Sequence, residues 1–238
     1  MRTEFPGFPP EAMSFFRGLK RNNNREWFQA RKPIFDEKVR APMERLVEAV
    51  NAALIRFAPD YVTEPGKAIY RIYRDTRFSR NKVPYKTQIA AVFTRRGLSK
   101  NGSAGLYFSV SPEEIEVAGG VYMPDREQLL AIRNCLAGQY AEFRRILARK
   151  GLRTLMGGLW GEQLSRVPKG FPAGHPAEDL LRYKQWLVYV LLDPGIATTP
   201  DLTGEIVTRF RAMVPFVEFL NKPLSRKRSE VSVENFFA

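Results

Sequence analysis

Residues 71–86 read RIYRDTRFSRNKVPYK and hold six basic side chains, one carboxylate (Asp75) and three aromatic rings. Guanidinium groups gathered on a turn are a common way to grip an anion, because each offers two parallel donors to a carboxylate or phosphate. Arg71, Arg74, Arg77 and Arg80 recur every three residues. A strand has a period of two, so this spacing is not itself a recognition code. The turn matters more: Asp75-Thr76 can open an Asx-type turn and the chain returns through Pro84. Arg74, Arg77, Lys82 and Lys86 are the expected anion contacts, with Arg71 and Lys169 at the margin, joined by the hydroxyls of Thr76, Ser79 and Tyr85. Asp75 is expected to orient an arginine, Tyr85 to pack or bond at the rim, and Trp27 and Arg25 to sit behind the loop. The competing reading is a surface hairpin in which Asp75 pairs one arginine and the other cations are solvated.

Other residues offer further chemistry. Gly119-Gly120 ends a strand pattern just before a helix start, where backbone can approach a ligand closely and free N–H groups can meet an anion. A β-bulge or tight turn explains the same glycines. Lys169 lies in the constrained run Arg166-Val167-Pro168-Lys169-Gly170-Phe171. His175, the single histidine, is a candidate acid or base with Asp75, Glu116 and Asp125, although a histidine beside a proline also serves as a structural hydrogen-bonder. No phosphate-binding G-x-x-x-x-G-K-[ST], dinucleotide G-x-G-x-x-G or G-x-S-x-G elbow is present, and in Asn101-Gly102-Ser103-Ala104-Gly105 the glycines have the wrong offsets. One histidine and one cysteine, Cys135, leave no His- or thiolate-based metal centre. No metal and no cofactor are expected.

The elements that must position these residues fall into blocks. EAMSFFRGLKR places Met13, Phe16 and Leu19 or Lys20 close to one helical face. Asn23 with Glu26 has capping-box spacing before REWFQARKPIFDEKVRAP, which should break near Pro33. MERLVEAVNAALIRF carries Met43, Leu46, Val47, Val50, Leu54 and Phe57 at core-facing intervals. KAIYRIYR, QIAAVFTRR, AGLYFSVS and EIEVAGGVY then read as strands, and their short links favour antiparallel pairing. A long helix over PDREQLLAIRNCLAGQYAEFRRILARK, broken near Gly138, precedes an irregular stretch, a short helix at AEDLLRYK, a buried strand at QWLVYVLLD and a helix over 201–221 that Pro215 can interrupt. Such blocks define an α+β fold, a mostly antiparallel sheet packed with N-terminal, middle and C-terminal helices. One domain is expected over 1–222, with a basic, loosely ordered tail over 223–238.

Composition narrows the partners. The chain has 238 residues, 44% of them hydrophobic, and a formal net charge of +13. A basic balance favours small anions or nucleic acid. Arginine nonetheless outnumbers lysine 26 to 12, a bias GC-rich genomes produce without any binding role, and the excess is spread along the chain. A small anionic ligand is therefore the leading expectation, and whether a reaction follows stays open. The alternatives are a nucleic-acid-binding module, with Tyr70, Tyr73 and Phe78 stacking on bases beside Arg226, Lys227 and Arg228, and a scaffold whose arginines meet an acidic protein. No apolar run reaches membrane-span length and no secretory signal is visible, so no membrane partner and a cytoplasmic location are expected.

The motifs NNNREWF (22–28), YRDTRFSRNKVPYKT (73–87), Gly119-Gly120 with Pro124, RVPKGF (166–171) with His175-Pro176, and LRYK (181–184) together resemble the bacterial and fungal family called domain of unknown function 2461. The likeness runs from about Phe5 to Asn221. It implies that the 73–87 loop is the site, but names no reaction and no ligand. Arg80, Asn81 and Val83 stand where the family pattern has lysine, aspartate and threonine. Ala118 replaces a third glycine, and Gly174 replaces the aspartate before the His-Pro pair. Without those carboxylates, acid–base or metal roles at these two places have little to rest on.

Overall fold

The first block of sequence folds as helices whose apolar intervals all turn inward. α1 (Pro10–Arg21) starts on Pro10 and buries Met13, Phe16 and Leu19. Its missing first donors make proline cheap at that end. α2 (Arg25–Ala30) is capped by Asn24, whose side chain accepts from the Trp27 amide at 2.9 Å. The capping residue is thus one position later than the Asn23/Glu26 spacing suggests, which frees Asn23 for another task. α3 (Lys32–Ile34) leads into a π-helical stretch, Phe35–Arg40, where Ala41 N–H reaches back to Asp36 O. α4 (Ala41–Leu54) follows and buries Met43, Leu46, Val47, Val50 and Leu54. Prolines 33 and 42 lack the amides that would continue an i→i−4 ladder, so the break falls between them.

The expected strand at KAIYRIYR does not form. Its first residues close a one-turn helix, α5 (Pro65–Ala68), and the rest makes isolated bridges at Ile69 and Tyr73. The sheet has four antiparallel strands in the order β1 (Ile89–Thr94), β2 (Gly105–Val110), β3 (Ile115–Val121), β4 (Trp186–Leu192). Alternation decides its faces. Ile89, Ala91 and Phe93 on β1 share a buried face with Leu106, Phe108 and Val110 on β2, and the Phe93 and Phe108 rings stack at 6.1 Å. The opposite face carries Tyr107 and Ser109 on β2 and Glu116 on β3. β4 ends the strand order, and Tyr189 and Leu191 are exposed on it. It is the last strand of the order and is half-buried, with Trp186 and Val188 in the core, rather than buried throughout as its apolar composition suggests.

Beyond β3, α6 (Arg126–Leu147) is kinked at Gln139, next to Gly138, and α7 (Lys150–Met156) and α8 (Glu178–Leu181) follow. α9 (Asp201–Glu234) runs through Pro215 without ending. The chain is therefore α+β. The computed structural model describes residues 5–77, 79–100 and 102–234, with backbone alone for 226–234. Phe78, Asn101 and the side chains of Arg226, Lys227 and Arg228 lie outside the described residues. Among the described residues, no helix is long and apolar enough to cross a membrane.

The contacts divide the chain into two units: residues 1–93, 107–117 and 191–208 form one, and 94–106, 118–190 and 209–238 the other. The first is built on Phe15, Phe16, Phe28, Phe35 and α4, the second on Phe143, Phe210, Phe216, Phe219 and Trp186, all buried. Each fully buried ring contributes roughly 1.5–3 kcal/mol relative to exposure.

Candidate functional site

In the first unit the basic segment is a two-armed loop held by backbone pairing. Ile69 bridges Ala91 and Tyr73 bridges Tyr85, both antiparallel. The amides of Tyr70, Lys86 and Arg74 donate to Ala90 O (2.9 Å), Ile72 O (2.8 Å) and Pro84 O (2.9 Å). Arm 69–74 thus lies along arm 84–91, and residues 75–83 close the end. The loop is anchored to the helices by Asn23, whose Oδ1 accepts from the Tyr85 amide and whose Nδ2 donates to Tyr85 O, both at 3.0 Å. A primary amide matches both halves of a peptide group. Tyr85 is buried, with its ring stacked on Phe28 at 4.2 Å and 22°. Phe28, not Trp27, therefore backs the loop. Trp27 packs on Phe15 and against Gly18, where a Cβ would lie 2.7 Å from the indole. Tyr85 is a core anchor, not a rim residue.

Within the closing segment two cations are already engaged. Arg77 makes a two-pronged pair with Asp75, Nε to Oδ1 at 3.0 Å and Nη2 to Oδ2 at 2.8 Å, and its amide also donates to Oδ1 at 3.2 Å. These bonds from Arg77 hold the exposed Asp75 carboxyl down at about 2. Lys82 Nζ donates to Thr76 O at 2.9 Å, and the Asn81 side chain accepts from the Val83 amide at 3.0 Å. Among the described residues, the side chains of the exposed Arg71 and the half-buried Arg74 make no hydrogen bond or ion pair. The Lys86 side chain makes none either. It is half-buried, with Nζ over the Tyr70 ring at 5.0 Å from the centroid, and burial, then the charge of Arg71, push its pKa down.

The second face of the sheet adds polar groups to the same unit. Tyr70 and Tyr107 are 6.4 Å apart, centroid to centroid, and Gln88 Nε2 donates to Tyr107 Oη at 3.3 Å. Burial pushes Tyr70 up and Tyr107 up to about 12; a bond from Ser109 opposes the second shift. Glu116 is raised by burial and by Glu114. Burial thus shifts four groups on this face, Tyr70, Lys86, Tyr107 and Glu116, toward their neutral forms.

Gly119, Gly120, Lys169 and His175 belong to the second unit. At Gly119 a Cβ would lie 2.7 Å from Met213 Sδ, and at Gly120 (φ +129°) it would lie 2.0 Å from Trp186 O. Protein atoms fill the room these glycines leave. Asp125 and Gln128 form a reciprocal capping box at the start of α6, so Asp125 is committed to the backbone. His175 Nδ1 accepts from the Ala177 amide at 3.0 Å, and its ring meets Tyr140 edge-on at 6.0 Å. Lys169 is exposed in a turn.

Two cavities, of about 580 and 520 Å³, involve Pro6–Pro9 with Lys38 and Arg45, and Arg145 and Arg149 with Phe219 and Lys222. Neither is lined by a loop cation. Among the described residues, no three His, Cys, Asp or Glu side chains cluster to hold a metal.

The signals that sequence reading missed were Asn23 and Phe28. Both stand in NNNREWF, and only long-range pairing shows that this segment and the loop are one device. No curated protein and no solved structure gives a significant match. A family model does, over residues 11–219, which takes in α1 from its second residue, Asn23 and Phe28, the loop and the sheet: the chain belongs to the family described as conserved hypothetical protein (DUF2461).

Proposed function

We propose that this chain binds a small anionic ligand, phosphorylated or carboxylated, at Arg71, Arg74 and Lys86. The observation that carries the reading is that, among the described residues, the side chains of these three cations make no hydrogen bond or ion pair, while Arg77 and Lys82 a few residues away are satisfied within the loop. Arg71 and Lys86 are also close enough for one to disfavour the charge on the other. An anion relieves that repulsion, and an arginine paired with a lysine supplies a fork plus a point charge. Arg77 and Lys82 then shape the loop instead of touching ligand, and Asp75 fixes Arg77. A cytoplasmic location fits the lone Cys135.

Thermal unfolding with inorganic phosphate, a sugar phosphate, a nucleoside monophosphate and a dicarboxylate, at constant ionic strength, tests the reading. A ligand at one hundred times its Kd stabilises the fold by roughly 2.7 kcal/mol. Arg71→Ala and Lys86→Ala should abolish the shift and Arg77→Ala should leave most of it. A flat response to every anion, or a loss with Arg77→Ala alone, overturns it. Single-stranded oligonucleotide binding that falls with salt by a log–log slope of about −0.7 per phosphate would favour the nucleic-acid reading instead.

A further inference from the structure

The cavity of about 520 Å³ belongs to the second unit and lies between two interrupted helices. α6 leaves helical geometry at Gln139, just before its lining residue Glu142, and α9 contributes Pro215, where a proline inside a helix forgoes a ladder bond. Ile146 and Phe219 line it with apolar surface, and both are otherwise buried. The Phe219 ring is backed by Phe143 at 4.9 Å, so this floor is held by the core. The volume falls in the range of ligand pockets, roughly 300–1,000 Å³.

Charge around the rim does not cancel. Glu142 is paired with Lys222 at 2.6 Å, and Glu218 with Arg95 at 3.5 Å. Lys222 Nζ also sits over the Phe219 ring, 4.9 Å from its centroid. Both carboxylates of the lining are thus matched by a cation, and Arg145 and Arg149 are left over. Arg145 Nε donates to Ala141 O at 3.3 Å, which keeps its two terminal nitrogens available. Among the described residues the Arg149 side chain makes no hydrogen bond or ion pair, and neither arginine is paired with a carboxylate. Two guanidinium groups without a counter-charge match a phosphate monoester, which carries about −1.5 to −2 at pH 7, better than the single charge of a carboxylate. Each can also grip phosphate oxygens with two parallel donors.

We propose that this cavity binds a phosphate monoester with a short apolar body, its phosphate on Arg145 and Arg149 and its body on Ile146 and Phe219. The site shares no residue with the 69–91 loop and does not depend on the anion reading there. The two differ in what they select: the loop cations stand among tyrosines, Gln88 and Glu116, whereas this cavity asks for an anionic head and an apolar body together.

Calorimetric titration at constant ionic strength tests this on the full chain carrying Arg71→Ala, so that the loop cations make no contribution. Hexyl phosphate is the probe, with inorganic phosphate, hexanoate and 1-hexanol as its parts and its carboxylate counterpart. Hexyl phosphate should bind at one site at least about tenfold tighter than any of the three, since burying two methylenes alone is worth about that factor. Arg145→Ala and Arg149→Ala should each weaken it by roughly tenfold or more. Arg56→Ala, which removes the same charge from an exposed position of the first unit, should not. Nuclear Overhauser contacts from the hexyl protons should fall on the Ile146 methyls and the Phe219 ring. Both cavity arginines are exposed, so their variants should unfold at the parent's midpoint. If either does not, the Overhauser contacts in the chain with both arginines decide the matter. Equal affinity for inorganic phosphate or for hexanoate, an equal loss with Arg56→Ala, contacts to other residues, or no binding each overturns the proposal.

Discussion

Asp75 and Arg77 are two residues apart and satisfy each other almost completely, which explains why an arginine in the middle of a cationic loop is not the free one. Asp75 has its pKa depressed, so its contribution is present above the ordinary carboxylate range and is lost as pH falls through about 2. A carboxyl-carbon NMR titration should give that midpoint, and Arg77→Gln should return it toward the ordinary value of about 3.9. An unchanged midpoint in the variant would show that Arg77 is not the cause. Both groups are exposed, so global stability should barely respond. Residue types and local spacing made this pair readable: an Asx turn and a nearby arginine need no distant partner. That the side chains of Arg71, Arg74 and Lys86 stay without a bonded partner was not readable, because it depends on where the rest of the fold puts its acceptors.

Asn23 joins two elements far apart in sequence, the start of the α2 region and the arm of the loop. Removing its amide leaves a buried peptide group at Tyr85 unpaired, which costs roughly 1–3 kcal/mol. Asn23→Ala should therefore lose about that much in urea unfolding, and the Tyr85 amide should exchange with solvent much faster. Retained protection at Tyr85 would mean that the Phe28 stack alone holds the loop. Gly120 makes a parallel case on β3. Its positive φ and the nearby Trp186 carbonyl leave no room for a Cβ, so Gly120→Ala should destabilise by at least 1–3 kcal/mol. An unchanged unfolding midpoint would return these glycines to the role of ligand approach. The helices were legible because their apolar residues recur with the helical period, and β1 to β3 because short β-branched runs sit between turns. KAIYRIYR failed for a physical reason: Pro65 and Gly66 start a helical turn, and only two bridges remain to pair. QWLVYVLLD was legible as a strand but not as a half-buried one, since apolar residues cover both faces of it.

At the scale of the whole molecule, the charge of +13 acts as a diffuse field. Like charges in the folded chain repel, and salt shortens their reach from about 30 Å at 0.01 M to about 8 Å at 0.15 M. Raising sodium chloride across that range at pH 7 should raise the melting midpoint, equally in wild type and Arg71→Ala. A midpoint that falls instead would show that ion pairs such as Lys222–Glu142 and Arg144–Asp179 outweigh the repulsion. Specific anion binding is separated from this field by its persistence at fixed ionic strength. The sequence by itself determined the class of fold, the helical blocks, the cationic turn and the family, because periodicity, turn chemistry and motif order are properties of neighbours along a chain. Only the tertiary structure decided which cations remain unpaired, that Asn23 and Phe28 hold the loop, and that Gly119 and Gly120 are packed against protein. Those outcomes depend on burial and on partners brought together across long stretches of sequence, and no local pattern encodes either.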